Sequence, residues 1–195
     1  MSFIERLLCK VFPYVDILRD DTTDIYLRRF FIYPRDKDFG KNKGKGRIYL
    51  HKFYRGDEDP HMHDHPWPFT SLILTQGYWE ETPDNQHIAT EGEHLCYTVG
   101  ADNEHRVQKW FKPFSILRRP ASWKHRVVLD NGEPVWTLVK TGVKERSWGF
   151  WLKETFCPWR NYNNGICWCD EGGKEAALIA QGVTIPSPET QAVFD

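Results

Sequence analysis

The chain has 195 residues, 40% of them hydrophobic and 27% charged, which fits one folded domain and excludes a wholly disordered polymer. Its 26 basic and 27 acidic side chains leave a formal charge of −1, so the electrostatic case for a general nucleic-acid or membrane-surface binder is missing. Aromatic residues reach 15%, and with 12 Pro and 14 Gly they favour short strands and tight turns over a helical bundle.

Residues 2–12 place Phe3, Ile4, Leu7, Leu8 and Val11 at helical spacing behind Ser2 as a candidate N-cap. This predicts a short amphipathic helix covering the end of a sheet. Glu5, Arg6 and Lys10 interrupt its apolar pattern, so no signal peptide is read there. No run approaches the roughly eighteen apolar residues of a membrane helix. Strand-like runs then follow at Ile25–Tyr33, Arg47–Arg55, Phe69–Gln76, Tyr78–Glu81 and His94–Val99. They continue at His105–Phe111, Phe114–Arg119, His125–Leu129, Val135–Lys140 and Gly149–Leu152. Turn-forming segments such as Asp57–Pro60 and Asp130–Gly132 separate them.

About ten short strands with few helices predict an all-β sandwich or jelly-roll β-barrel. Gly172–Ala180 reads as one short C-terminal helix and Pro186–Asp195 as a loose tail. The expected organisation is a helical extension over 1–20, a barrel over 21–155, and a Cys/Trp-rich segment, helix and tail over 156–195. The five cysteines, Cys9, Cys96, Cys157, Cys167 and Cys169, are an odd number and do not form a secreted disulfide framework, so a reducing, cytoplasmic setting is expected.

The most informative segment is His61-Met-His63-Asp-His65-Pro-Trp67, running on through Thr70 to Gly77. In an extended strand, alternate side chains share a face, so neighbouring members of this triplet can aim two imidazoles at one point. Neutral imidazole binds zinc, copper, iron and nickel. The competing reading is a solvated loop that happens to be rich in histidine.

From these residues the chain resembles the cupin superfamily. The first cupin motif is a glycine, H-x-H, a glutamate three or four residues on, then a glycine after six more. With His63 and His65 as the pair, Thr70 falls at the glutamate position and Gly77 at the second glycine, while Gly56 lies one residue from the opening one. The second motif, P-x-G-x-x-H, is similar to Pro120-Ala-Ser122-Trp-Lys-His125, with Ser122 in place of the glycine. The resemblance covers roughly residues 47–140. It implies a cupin-type jelly-roll barrel with His63, His65 and His125 as ligands of a divalent metal. Fe(II) is favoured, with Zn, Ni or Mn as alternatives. With Thr70 at the glutamate position, the ligand pattern is similar to the three-His cupins, which include thiol dioxygenases and ring-cleaving oxygenases. Asp64 is expected to face away from the metal by strand alternation. Thr70 is expected beside the metal, hydrogen-bonding a bound oxygen species, with His61 as a mouth residue, fourth ligand or proton carrier. Trp67 is expected at the pocket mouth.

Other features have plainer readings beside functional ones. Cys157, Cys167 and Cys169 could hold a structural metal, but isolated thiols near aromatic residues are more often core fillers or surface thiols. Cys96 is expected in the core. Lys41–Arg47 is a basic, glycine-containing turn that could cradle a phosphate or simply be solvated. Trp79, Trp123, Trp136, Trp148 and Trp151 are expected to fill the β core. The leading function is an Fe(II)-dependent oxygenase acting on a small polar metabolite. A sugar or small-metabolite isomerase or epimerase, and a non-catalytic ligand-binding cupin, remain alternatives. The expected partners are a small-molecule substrate and a second copy of the chain in a homodimer; nothing points to nucleic acid or membrane.

Overall fold

Alternation of apolar and polar residues builds most of the chain into strands. The structure is a computed structural model that describes residues 1–18, 23–35, 44–86, 95–100, 103–130, 132–153, 155–164 and 167. Strands β1 (Tyr14–Leu18), β2 (Ile25–Tyr33), β3 (Ile48–Phe53), β4 (Met62–His63), β5 (Phe69–Ile73) and β6 (Tyr78–Pro83) come first. Then follow β7 (Leu95–Val99), β8 (His105–Phe111), β9 (Ile116–Arg119), β10 (Arg126–Val128), β11 (Val135–Thr141), β12 (Gly149–Leu152) and β13 (Thr155–Pro158). They form a six-stranded sheet β1-β2-β3-β11-β5-β9, a four-stranded sheet β10-β6-β8-β7 and a three-stranded sheet β13-β12-β4. Among the described residues this is an all-β jelly-roll barrel flanked by two short α-helices, α1 (Phe3–Val11) and α2 (Trp159–Asn163). Ile73, Tyr78, Leu117, Val127 and Val135, drawn from the first two sheets, pack into one core between them.

The tight β5–β6 connection depends on Gly77. Its φ of +112° is open to glycine, and a Cβ there would meet the Phe111 carbonyl oxygen at 2.6 Å. β2, β8 and β12 have the boundaries read from the sequence, whereas β1, β4 and β13 lack a strong alternation of their own. β4 is two residues long and exists because Met62 and His63 pair with Trp151 and Phe150.

α1 forms where expected, with a capping box. Ser2 Oγ accepts from the Glu5 N–H and the Glu5 carboxylate accepts from the Ser2 N–H. Its orientation differs from the expectation. Phe3 is 79% exposed, with Ile4, Leu7 and Val11 also exposed, while Glu5 is fully buried. Glu5 faces the outer side of the six-stranded sheet, where Arg28 Nη1 donates at 3.0 Å and Lys52 Nζ at 2.8 Å, joined by the Tyr54 hydroxyl. Two cations projecting from β2 and β3 demand a carboxylate, and that demand outweighs the pull on the apolar stripe.

Three smaller expectations also change. Cys96 is exposed on β7, not in the core. Trp79, Trp123, Trp136, Trp148 and Trp151 are half-buried and do not fill the core. Cys157 and Cys167 are neither separate thiols nor metal ligands but a disulfide, with Cα atoms 5.9 Å apart. The expected C-terminal helix, the tail, Cys169 and Lys41–Lys43 lie outside the described residues. No helix among the described residues is long and apolar enough to cross a membrane.

Candidate metal centre

The barrel encloses a cavity of about 560 Å³ lined by the inner faces of β2, β3, β5 and β11, by Tyr78 and Val127, and by a histidine cluster. His63 and His125 are held opposite each other by a reciprocal pair of backbone hydrogen bonds, N–H to O at 3.0 and 2.9 Å. The His65 N–H donates to the Ala121 carbonyl at 3.0 Å, which fixes the next alternate residue. The three imidazoles therefore meet as a near-equilateral triangle, with ring centroids 4.9, 5.0 and 5.2 Å apart. One nitrogen from each lies within 4.8 Å of the others. His65 Nε2 and His125 Nε2 are 2.8 Å apart. Metal–imidazole bonds of about 2.1 Å place neighbouring ligand nitrogens roughly 3 Å apart, so this spacing suits a shared ion.

Protonation states suit one too. Burial, with a smaller opposing pull from Asp57 and repulsion from His125 and Arg126, lowers His63 to about 4. Burial, with repulsion from His125, His63, Arg29 and His51, holds His65 well below the usual histidine range. Neutral imidazoles are the form that ligates. His125 Nδ1 lies 2.9 Å from Glu80 Oε1, which assigns the proton to Nδ1 and turns the Nε2 lone pair toward the other two rings. Burial alone would raise the Glu80 carboxyl, but His125 and Arg119 outweigh it and hold the group at about 2. Arg119 donates through both Nε and Nη2, and the Trp123 indole N–H adds a third donor at 3.3 Å.

Asp64 lies between two of the histidines in sequence but faces the opposite way. It is fully buried and accepts from the Gly149 N–H at 3.0 Å, the Trp151 indole at 3.1 Å and Arg146 at 3.0 Å. It thereby ties the histidine strand to β12. Trp67 lines the cavity. His61 is absent from the lining and stands edge-on to Tyr162 of α2, with ring centroids 5.8 Å apart. Thr70 is not beside the histidines. Within β5 it is Phe69 and Ser71 that face the cavity, and Phe69 touches His65 with centroids 4.7 Å apart. Thr70 points outward into a shallow groove with Arg118 and Lys140. Strand alternation puts the position two residues from an inward side chain, not the one beside it, on the cavity face.

Sequence reasoning passed over four residues here. Glu80 lies on β6, whose pairing with β10 places it against Val127, beside His125. Asp57 stands 3.8 Å from His63 Nδ1, and accepts from the Val127 N–H at 2.6 Å and from the Tyr26 hydroxyl. Arg29 and His51 face the cavity from adjacent strands, with Arg29 Nε donating to His51 Nε2 at 3.0 Å. Only the alternation of β2 and β3 hinted at them, because cross-strand register sets what they face.

Fold and site together define an all-β barrel with a three-histidine centre able to hold a divalent metal. No protein-family model matches the sequence, and no curated protein matches it. Solved structures similar to it include a cupin-2 domain from Rhodospirillum rubrum, with TM-score 0.45 and 10% identity, covering 87% of this chain and 88% of that one. Another is the polyketide cyclase RemF from Streptomyces resistomycificus, with TM-score 0.43 and 13% identity, covering 71% and 79%. A third is an RmlC-like cupin from Ralstonia eutropha, with TM-score 0.42 and 12% identity, covering 90% and 87%.

Proposed function

We propose that the chain is a mononuclear metal-dependent enzyme of the cupin type, an oxygenase acting on a small polar metabolite. The carrying observation is the donor set: His63, His65 and His125 converge inside a cavity, with no carboxylate among the grouped ligand atoms. Fe(II) is the favoured ion, with Zn, Ni or Mn as alternatives, because imidazole suits all of these. Three neutral ligands leave the full charge of a divalent ion and open coordination positions, which favour anionic co-ligands and, for iron, dioxygen chemistry. The protein's own contribution is positional. Glu80 fixes the His125 tautomer, Asp64 anchors the histidine strand from behind, and Trp67 and Phe69 supply apolar wall around the open side. The cavity has the size range of a small-molecule site.

Metal analysis of protein purified without a nickel column tests the reading, alongside the triple variant His63→Ala, His65→Ala, His125→Ala. The expected result is stoichiometric metal in the parent after reconstitution and none in the variant. Absence of binding after exposure to iron, zinc, nickel and manganese overturns it. Oxygen consumption by the iron-loaded protein during a substrate screen separates the oxygenase from an isomerase or a ligand-binding barrel that also holds metal.

A further inference from the structure

The wall formed by β2, β3 and β11 carries polar groups that the histidine centre does not use. Arg29, His51 and Thr137 stand in one row across these strands, Arg29 opposite His51 and His51 opposite Thr137. Tyr49, two residues before His51, faces the same way; its ring stacks on His51 with centroids 5.6 Å apart, and the Arg29 guanidinium lies 4.9 Å from its centre. All four line the cavity that holds the histidines.

Their hydrogen bonding is incomplete. The Tyr49 and Thr137 hydroxyls are buried without a partner, in residues only 1% exposed. Arg29 gives its Nε–H to His51, but its Nη groups have no acceptor and no carboxylate counter-ion among the described residues. Burial and the Arg29 charge keep His51 well below the usual histidine range, so His51 neutralises nothing. The carboxylates in the same lining lie on one segment, Asp57–Asp59, and both oxygens of Asp57 are engaged, by Tyr26 and by the Val127 N–H. Buried hydroxyls normally find partners, and a half-buried guanidinium that opens on a cavity with no carboxylate beside it is available to an anion. Such a set persists where a ligand completes it, and a guanidinium fork beside two hydroxyls matches a planar oxyanion.

We propose that Arg29, Tyr49 and Thr137 form the specificity subsite of this cavity, and that the small molecule accepted there is bound through a carboxylate. The inference rests on the cavity being the substrate site of the proposed function, and it supplies the substrate class that the histidines leave open. Arg29, Tyr49 and Thr137 line the same cavity as His63, His65 and His125, so one small molecule can span the subsite and the centre.

Calorimetric titration of the full chain, metal-free and Zn(II)-loaded, with succinate, benzoate, succinamide, inorganic phosphate and 1,4-diaminobutane tests this. The carboxylates are expected to bind saturably, and succinamide and the diamine not to bind. Arg29→Gln should weaken carboxylate binding by about tenfold or more, the loss of a charge-assisted hydrogen bond, without lowering Zn(II) affinity. Thr137→Val should weaken it severalfold at the same Zn(II) affinity. Should Arg29→Gln fail to fold, the unsubstituted protein still decides: succinate should protect the Arg29 peptide from phenylglyoxal, read by mass spectrometry. No saturable carboxylate binding, equal binding by Arg29→Gln, no protection, or preference for phosphate or the diamine overturns the proposal. Loss of Zn(II) binding with carboxylate binding intact would instead overturn the metal reading and leave this one standing.

Discussion

Two regions of this barrel hold cations against the six-stranded sheet, and they do so differently. On the outer face of the six-stranded sheet, Glu5 of α1 meets Arg28, Lys52 and Tyr54, and Arg28 turns its remaining donors to Asp16 at 2.6 and 2.7 Å. Each cation there has a carboxylate and each Glu5 oxygen has donors. On the inner face of the same strands, one residue along, Arg29 has no carboxylate and two neighbouring hydroxyls have no partner among the described residues. The closed network fastens a helix to a sheet, and the open one lines a cavity. Completeness of hydrogen bonding, more than burial or charge count, separates structural polarity from polarity kept for a ligand.

The sharpest way to break the outer cluster is Glu5→Ala, which leaves Lys52 and part of Arg28 uncompensated in a buried site. It should cost about 3–5 kcal/mol, read by urea unfolding, with metal affinity per folded molecule unchanged. A large change in metal affinity would mean that the two regions are coupled.

Acid should separate them next. In the metal-free protein His63 is depressed from 6.5 to about 4, so between those values the unfolded chain binds more protons than the folded one. This contribution is complete above pH 6.5 and lost as pH falls toward 4, a shift worth about 3 kcal/mol. Glu5 and Glu80 are depressed below 4.5, so their contributions are present above 4.5 and lost at more acid pH, for Glu80 down to about 2. Glu5→Ala should therefore keep the upper limb of the stability–pH curve and reduce the lower one. His63→Ala should do the reverse.

At the inner site, Glu80→Gln keeps the shape but weakens the acceptor that holds His125 in its tautomer. Divalent-metal affinity should fall about 10- to 100-fold by competition with a chromophoric chelator. The smallest effect is expected at Thr70. Because it faces the outer groove, Thr70→Glu should leave metal affinity unchanged and alter stability by less than about 0.5 kcal/mol. Tighter metal binding by that variant would mean that β5 presents the opposite face.

The histidine centre was legible early because its cause is local. His63 and His65 stand two residues apart, His65 continuing the extended run just past β4, and His125 follows from a short motif ahead of another strand. The same local rules placed β2, β8 and β12 and Ser2 as the helix N-cap. Thr70 went astray because counting along a motif does not say which parity of β5 looks inward.

What remained belongs to tertiary structure, since it depends on residues distant in sequence. Periodicity marked an apolar stripe on α1 but could not weigh it against Arg28 and Lys52, 23 and 47 residues away. It could not bring Glu80 to His125 either, 45 residues on, because that contact is made by the pairing of β6 with β10. The Cys157–Cys167 disulfide likewise needs two backbones brought to the right separation. The sequence by itself determined most of the strands, the helix cap and the imidazoles. Cross-strand register decided what each side chain faces, and so which charges are closed into the structure and which are left open to the cavity.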